Sequence, residues 1–534
     1  MPPTTDRSAD PANDRAALPA EVDVVVVGSG GAALTGAYTA AAQGLRVLVL
    51  EKTGHLGGTS AYSGACLWLP GNDVLHRGGV PDTVEDGLRY LRATVGDRTP
   101  AALQEAYVRT GPELVAFLEN DPELEFEVLP FPDYFDAPGR GRPTGRGICP
   151  APLGGARLGT RLDQLRPTVA ADQFGLAVER DTLIGGQALV GRLLLALDRT
   201  GNVEIHTGTP MHSLVTEAGR VVGVHAGADG AHEVRARLGV LLAAGGYECD
   251  PARRRELHGL PAADWTSAAR GSNTGDALAA VQAAGGAIDL LDEAWWCPAT
   301  LFPNGRAAFT LGLHGGIFVD PAGKRFANES LPYDRMGHAM RDAMAGTGPD
   351  TAFWWVFDSR TPSVPGLCAP VPDPTEFRAA GLWHTAESAE ELAASIGVPP
   401  DALRETIDRF NGFARTGKDA DFGRGEDDYD RFFAAGDGPN PTLVPLERGP
   451  LNAVRIVLGD LGSKGGARID TSGRVLDTDE QPIPGLYAAG NSAASVAGHV
   501  YPGPGTPLGS GMVFAYRAAL AMHAAARDTA QPVG

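Results

Sequence analysis

Apolar positions along the chain follow two rhythms. Short unbroken runs, as at 24–27, 46–50 and 239–242, read as strands buried on both faces of a parallel sheet. "PIPGLYAAG" near the C-terminus adds a further strand, and "NVEIHTGTPMHSLVTEAGRVVGVHA" reads as strands and a hairpin returning to the sheet. The second rhythm is helical. Residues 32–43 are alanine-rich, and "TAESAEELAASIGVPPDALRETIDRFNGFA" repeats apolar residues at i, i+3 and i+4. "GSGMVFAYRAALAMHAA" predicts a C-terminal helix. Residues 1–20 lack an apolar h-region and read as a disordered tail.

The order of these elements carries chemistry. The first strand runs into Gly28, Gly30, Gly31 and Ala33 in a GxGxxA pattern, a helix follows, and the second strand ends at Glu51 and Lys52. Glycines there let the backbone meet a pyrophosphate at a helix N-terminus, and the acid takes ribose hydroxyls. A second small-residue loop follows directly, with Gly57, Gly58, Thr59, Ser60, Ser63 and Gly64. An extended FAD uses such a loop, whereas NAD alone does not need one. Later small-residue turns at Ala244 and Gly245, at Asp276 (placed to cap a helix) and at Gly490 and Asn491, with Leu508 beyond, would converge on the same ligand. No second strand–GxGxxG–helix unit is present. "GRGRPTGRG", 139–147, lacks a preceding strand, so electrons are expected to leave for an external acceptor such as a quinone.

Nucleotide signals at both ends make that domain discontinuous, at 21–285 and 450–530. A catalytic domain, 286–449, richer in aromatics, is inserted between them. The expected class is α/β, a Rossmann-like, glutathione-reductase-like FAD-binding domain with an inserted α+β domain. "KDADFGRGEDDYDRFF", 418–433, reads as an acidic solvated loop.

Composition narrows the function. The formal net charge of −20 over 534 residues argues against a nucleic-acid partner. Apolar runs are too short for a transmembrane segment. The 5 cysteines are scattered without a CxxC, which argues against a metal site or disulfide framework and for a cytoplasmic protein, free or loosely held at a membrane.

Six stretches together resemble the fumarate-reductase/ketosteroid-dehydrogenase group of FAD flavoproteins, and among these the 3-ketosteroid Δ1-dehydrogenases. They are "GGTSAYSGACLWLPGN", "FPDYFDAPGRG", "DEAWWCP", "GKRFANESLPYDR", "GDLGSKGGARID" and "GLYAAGNSAASVAGHVYPGPGTPLG". The resemblance implies that Tyr501 and the Gly505 N–H hold a substrate's C3 carbonyl. It implies that Tyr333 removes the C2 proton with Tyr134 as its helper, and that a hydride passes to the flavin. No arginine lies between Arg474 and Arg517, where a reductase of unsaturated acids would need one for a carboxylate. The histidine pattern of covalent flavin attachment is absent around Thr59 and Ser60, so FAD is expected to be non-covalent. His499 and the pair Trp295 and Trp296 read as structural. Leu451, Asn452, Pro507 and Ser510 depart from the steroid enzymes' pattern. A different small, hydrophobic cyclic ketone therefore remains an open alternative to a steroid.

Overall fold

The structure, a computed structural model, describes residues 17–530 except 142–143, 262, 312–314, 346, 349–350, 362–369 and 435. Most of the expected 1–20 tail, and Cys368, lie outside the described residues. The β-branched run at the start of the ordered chain forms β1 (Glu21–Val27), buried from its second residue on. Helix α1 (Gly31–Ala42) follows, then β2 (Val47–Leu50), β3 (Val203–His206) and the long β4 (His232–Leu242). The parallel order is β4–β1–β2–β3, with Val25 paired to both Val240 and Leu48. An antiparallel meander, Met211–Glu217 and Arg220–Ala226, leads into β4.

The chain then leaves this sheet. A second, antiparallel sheet is built on β5 (Ala294–Leu301), β6 (Phe353–Phe357) and the 13-residue β7 (Leu451–Ser463), which pairs with both. Helix α2 (Tyr333–Met344) lies between β5 and β6 in sequence and packs on β5. The chain returns with β8 (Pro482–Ala488), parallel to β4, and ends in α3 (Thr506–Ala530) against α1.

Strand pairing adds two details to the expected division of the chain. β7, which lies in the segment expected to begin at 450, pairs with strands of the inserted sheet. Local pattern does not reveal which sheet a strand joins. The first segment also carries a cap of helices, Val84–Val95 and Ala101–Glu119, with a small sheet that includes Phe126–Leu129 and Gly147–Pro150. Among the described residues no helix is long and apolar enough to cross a membrane.

Candidate active site

One continuous cleft runs from the β1–α1 turn to the inserted sheet. At the nucleotide end, Gly28 has φ +106°, and a Cβ there would stand 2.3 Å from the Ala243 carbonyl oxygen, so only glycine fits. Gly30 is the N-cap of α1 and has no side chain of its own to cap the first turn. Gly30 and Gly31 line the cleft, and the Gly31 N–H donates to Ser60 Oγ at 3.0 Å. Glu51 is buried at the end of β2 and accepts from Ser29 Oγ at 2.6 Å. Gly58 and Gly64 have nothing within 4 Å of a would-be Cβ, so with Thr59, Ser60 and Ser63 they offer a small-residue wall to the cleft. This cradle fits a dinucleotide, with pyrophosphate at the α1 N-terminus and ribose beside Glu51.

The later turns meet the same cleft. Ala244, Gly245, Gly490, Asn491 and Leu508 all line it. Ser492 Oγ accepts from the Ala244 N–H and donates to the Gly245 carbonyl, which locks two distant turns together. Asp276 lines the cleft without capping its helix. Gly275 is the N-cap, and Asp276 pairs with Lys52 Nζ at 2.8 Å. Ala33 and Gly57 stand behind the lining. Ala33 is packed in the core, and the Gly57 N–H donates to Ser29 Oγ. Among the described residues no cluster of three His, Cys, Asp or Glu side chains could hold a metal.

At the other end, three tyrosines from separate parts of the chain form a triangle. Ring centroids lie 5.3 Å apart for Tyr134–Tyr333, 5.2 Å for Tyr134–Tyr501 and 5.4 Å for Tyr333–Tyr501. The loops are tied by backbone: the Pro502 carbonyl accepts from the Tyr134 N–H at 2.9 Å and from Tyr90 Oη at 2.7 Å. Tyr333 opens α2, directly after the N-cap Pro332. The Gly505 N–H donates to Tyr501 Oη at 3.2 Å, so these two groups meet in one small region. Gly505 has φ +91°, and a Cβ would stand 2.1 Å from the Cys66 carbonyl oxygen.

Burial raises the pKa of all three phenols. For Tyr501 the hydrogen bonds with Tyr333 and with the Gly505 N–H oppose the rise. Tyr333 is pushed well above 10.0 by burial, and its phenol neighbours add to the shift. Tyr134 Oη is buried without a hydrogen bond of its own, yet the Tyr333 hydroxyl restrains its rise.

The sequence did not reveal Tyr429. The acidic segment expected to be solvated is anchored instead: Asp419, Arg424, Tyr429 and Asp430 are all buried. The Tyr429 ring lies 5.3 Å from that of Tyr134. Arg140, from the rejected glycine-arginine run, holds Asp427 at 2.8 and 2.9 Å. Counting charges suggests solvent; the buried partners that neutralise them are distant in sequence. Trp295, expected to be structural, touches Tyr501 at 4.9 Å between centroids. Leu451 packs in a separate core and Asn452 accepts from Trp383 Nε1, so neither faces the cleft, whereas Pro507 does.

The chain is similar to known flavoproteins. The family model described as FAD binding domain matches residues 23–508, and the chain belongs to that family of flavoproteins. Within it the similarity is to ketosteroid dehydrogenases. A 3-oxosteroid 1-dehydrogenase of Mycolicibacterium smegmatis is 37% identical, over 95% of this chain and 98% of the relative. A crystal structure of 3-ketosteroid delta1-dehydrogenase from Sterolibacterium denitrificans, in complex with 1,4-androstadiene-3,17-dione, superposes with a TM-score of 0.87. It is 30% identical, over 95% of this chain and 100% of that one. A 4-oxocyclohexanecarboxylate 2-dehydrogenase of Sinomonas cyclohexanicum is 36% identical, over 93% of this chain and 92% of the relative.

Proposed function

We propose that the protein is an FAD-dependent dehydrogenase that introduces a C1–C2 double bond into 3-ketosteroids. The observation that carries this reading is the convergence of Tyr501 Oη and the Gly505 N–H, within reach of Tyr333 and Tyr134, in a cleft continuous with the dinucleotide cradle. In this reading the two donors turn from each other to the C3 carbonyl oxygen. Charge that develops on that oxygen as the C2 proton leaves is met by donors already in place, each worth about 3–4 kcal/mol. Tyr333 takes the proton, and Tyr134, its ring 5.3 Å away, hydrogen-bonds the Tyr333 oxygen as it reacts. FAD, when bound, supplies the acceptor for the hydride from the adjacent carbon. The substrate loses one proton and one hydride, and the ring gains a double bond conjugated to the ketone.

An uncharged ring ketone suits the cleft better than a carboxylated one. Among the described residues lining it, the cationic side chain is Lys52, already paired with Asp276 at the nucleotide end. The decisive experiment is anaerobic mixing with a 4-ene-3-keto steroid, which should bleach the oxidised flavin and yield a product two hydrogens lighter. No bleaching with several such steroids sinks the reading. Bleaching by 4-oxocyclohexanecarboxylate alone moves the substrate to that class.

FAD is held non-covalently in this reading. No histidine is among the described residues lining the cleft, and burial pushes the lining thiol of Cys66 up, keeping it neutral. Acid denaturation should therefore release all the flavin into the supernatant; flavin that stays with the precipitate contradicts it. The reduced flavin would pass its electrons to an external acceptor such as a quinone.

A further inference from the structure

Behind the tyrosines lies a buried lysine that the reaction above does not use. Lys464 sits just beyond the end of β7, fully buried. Its Nζ lies 3.3 Å from Asp334 Oδ1, also buried, on the residue after Tyr333. The same ammonium donates to the carbonyl of His499 at 2.9 Å and of Val500 at 3.3 Å, the two residues before Tyr501. It stands 4.7 Å above the Trp295 ring, and that ring packs on Tyr501. One cation thus touches the helix start that carries Tyr333, the loop that carries Tyr501 and the indole between them. An ammonium has three donors, and here all three have acceptors, the buried Asp334 carboxylate and two part-buried carbonyls.

We propose that Lys464 is a positioning residue, which holds the Tyr501 loop in register with Tyr333 by pairing Asp334 while bonding the His499 and Val500 carbonyls. The surrounding charges support a fixed arrangement rather than a lone pair. His338 Nδ1 lies 3.5 Å from Asp334 Oδ2, and its Nε2 lies 3.3 Å from Glu293, the residue before β5. Arg341 bonds Glu293 at 2.7 Å and reaches the surface. On the loop side, Arg98 Nε faces His499 Nε2 at 2.9 Å. A buried ion pair on its own is weak evidence for stability, since desolvation offsets the attraction. What distinguishes this one is where its third and fourth contacts fall. A displacement of about 1 Å at reacting groups costs on the order of 100-fold in rate, so such a tether acts on turnover more than on folding.

The assignment rests on the function proposed above, and its test separates the two. Lys464→Met leaves the buried Asp334 with His338 as its remaining charged neighbour, so the informative partner is the double variant Lys464→Met/Asp334→Asn, which removes both members of the pair. Both are compared with wild type in FAD content, steady-state kinetics and hydrogen–deuterium exchange. The double variant is expected to keep its flavin, to lose kcat by about 10- to 100-fold and to hold KM within about threefold. Amides of residues 499–501 should exchange faster while the β1–α1 region stays unchanged. Wild-type kcat in the double variant, a KM change that accounts for the whole loss, or unchanged exchange at 499–501 overturns the assignment. If wild-type protein turns over no ring ketone, the proposed function fails, and the exchange result alone still decides the tether.

Discussion

At the residue scale, the proposed reaction depends on two donors that share one target. Tyr501 and Gly505 are four residues apart on a loop whose prolines preclude a helix and whose glycine alone allows φ +91°. Tyr501→Phe keeps the ring contacts with Tyr134, Tyr333 and Trp295 and removes one donor. Its kcat should fall about 100- to 1,000-fold, the loss expected for one such donor, with flavin content unchanged. Gly505→Ala acts differently, because its Cβ would press on the Cys66 backbone. It should reduce soluble yield and flavin content together, measured by the ratio of flavin to protein absorbance. Much of this site is legible in the sequence because the loop is a compact local motif. Tyr429 is not legible, since its partners Tyr134 and Phe131 are about three hundred positions away and its own neighbours are acidic.

At the element scale, the placement of Tyr333 depends on how closely α2 meets β5. The contact is made at Gly337, where an added Cβ would fall 2.5 Å from Trp296 Cβ and 2.8 Å from the Cys297 nitrogen. Both neighbours are backbone or near-backbone atoms of a strand paired here with β7, which leaves them little room to yield. Gly337→Ala should therefore push the helix off the strand, at a cost of about 1–3 kcal/mol. A lower unfolding temperature by calorimetry and a fall in kcat should appear together; a variant with both values unchanged rules out this packing account. The pairing of β7 belongs to the same scale. β7 reads as a strand from its sequence, but its partners, β5 and β6, are chosen by the fold.

At the scale of the whole molecule, the buried phenols set an alkaline limit. Folding raises the pKa of Tyr333, Tyr134 and Tyr501 above the ordinary 10.0. A group with a raised folded-state pKa contributes stability that is complete below its unfolded value and is lost as pH rises through the folded one. Stability should thus be level, for these groups, up to about pH 10 and fall above it. Thermal unfolding of Tyr134→Phe should show a smaller alkaline loss than wild type. An identical alkaline slope in the two proteins contradicts this account. The same shifts mean that a tyrosine base gains ionised fraction as pH rises, so kcat/KM should climb toward pH 10 before unfolding intervenes.

The sequence by itself determined the nucleotide half of this protein. A strand, GxGxxA turn, helix and acid are contiguous, and each obeys rules of backbone sterics and periodicity that act over a few residues. It also supplied the Gly/Pro frame around Tyr501. Only the tertiary structure decided that Tyr134, Tyr333 and Tyr501 form one triangle, that Tyr429 and Trp295 close around them, and that Lys464 joins two of their supports. Those contacts span 35 to nearly 370 positions of chain. They follow from burial of an aromatic cluster between two sheets, which no local pattern encodes.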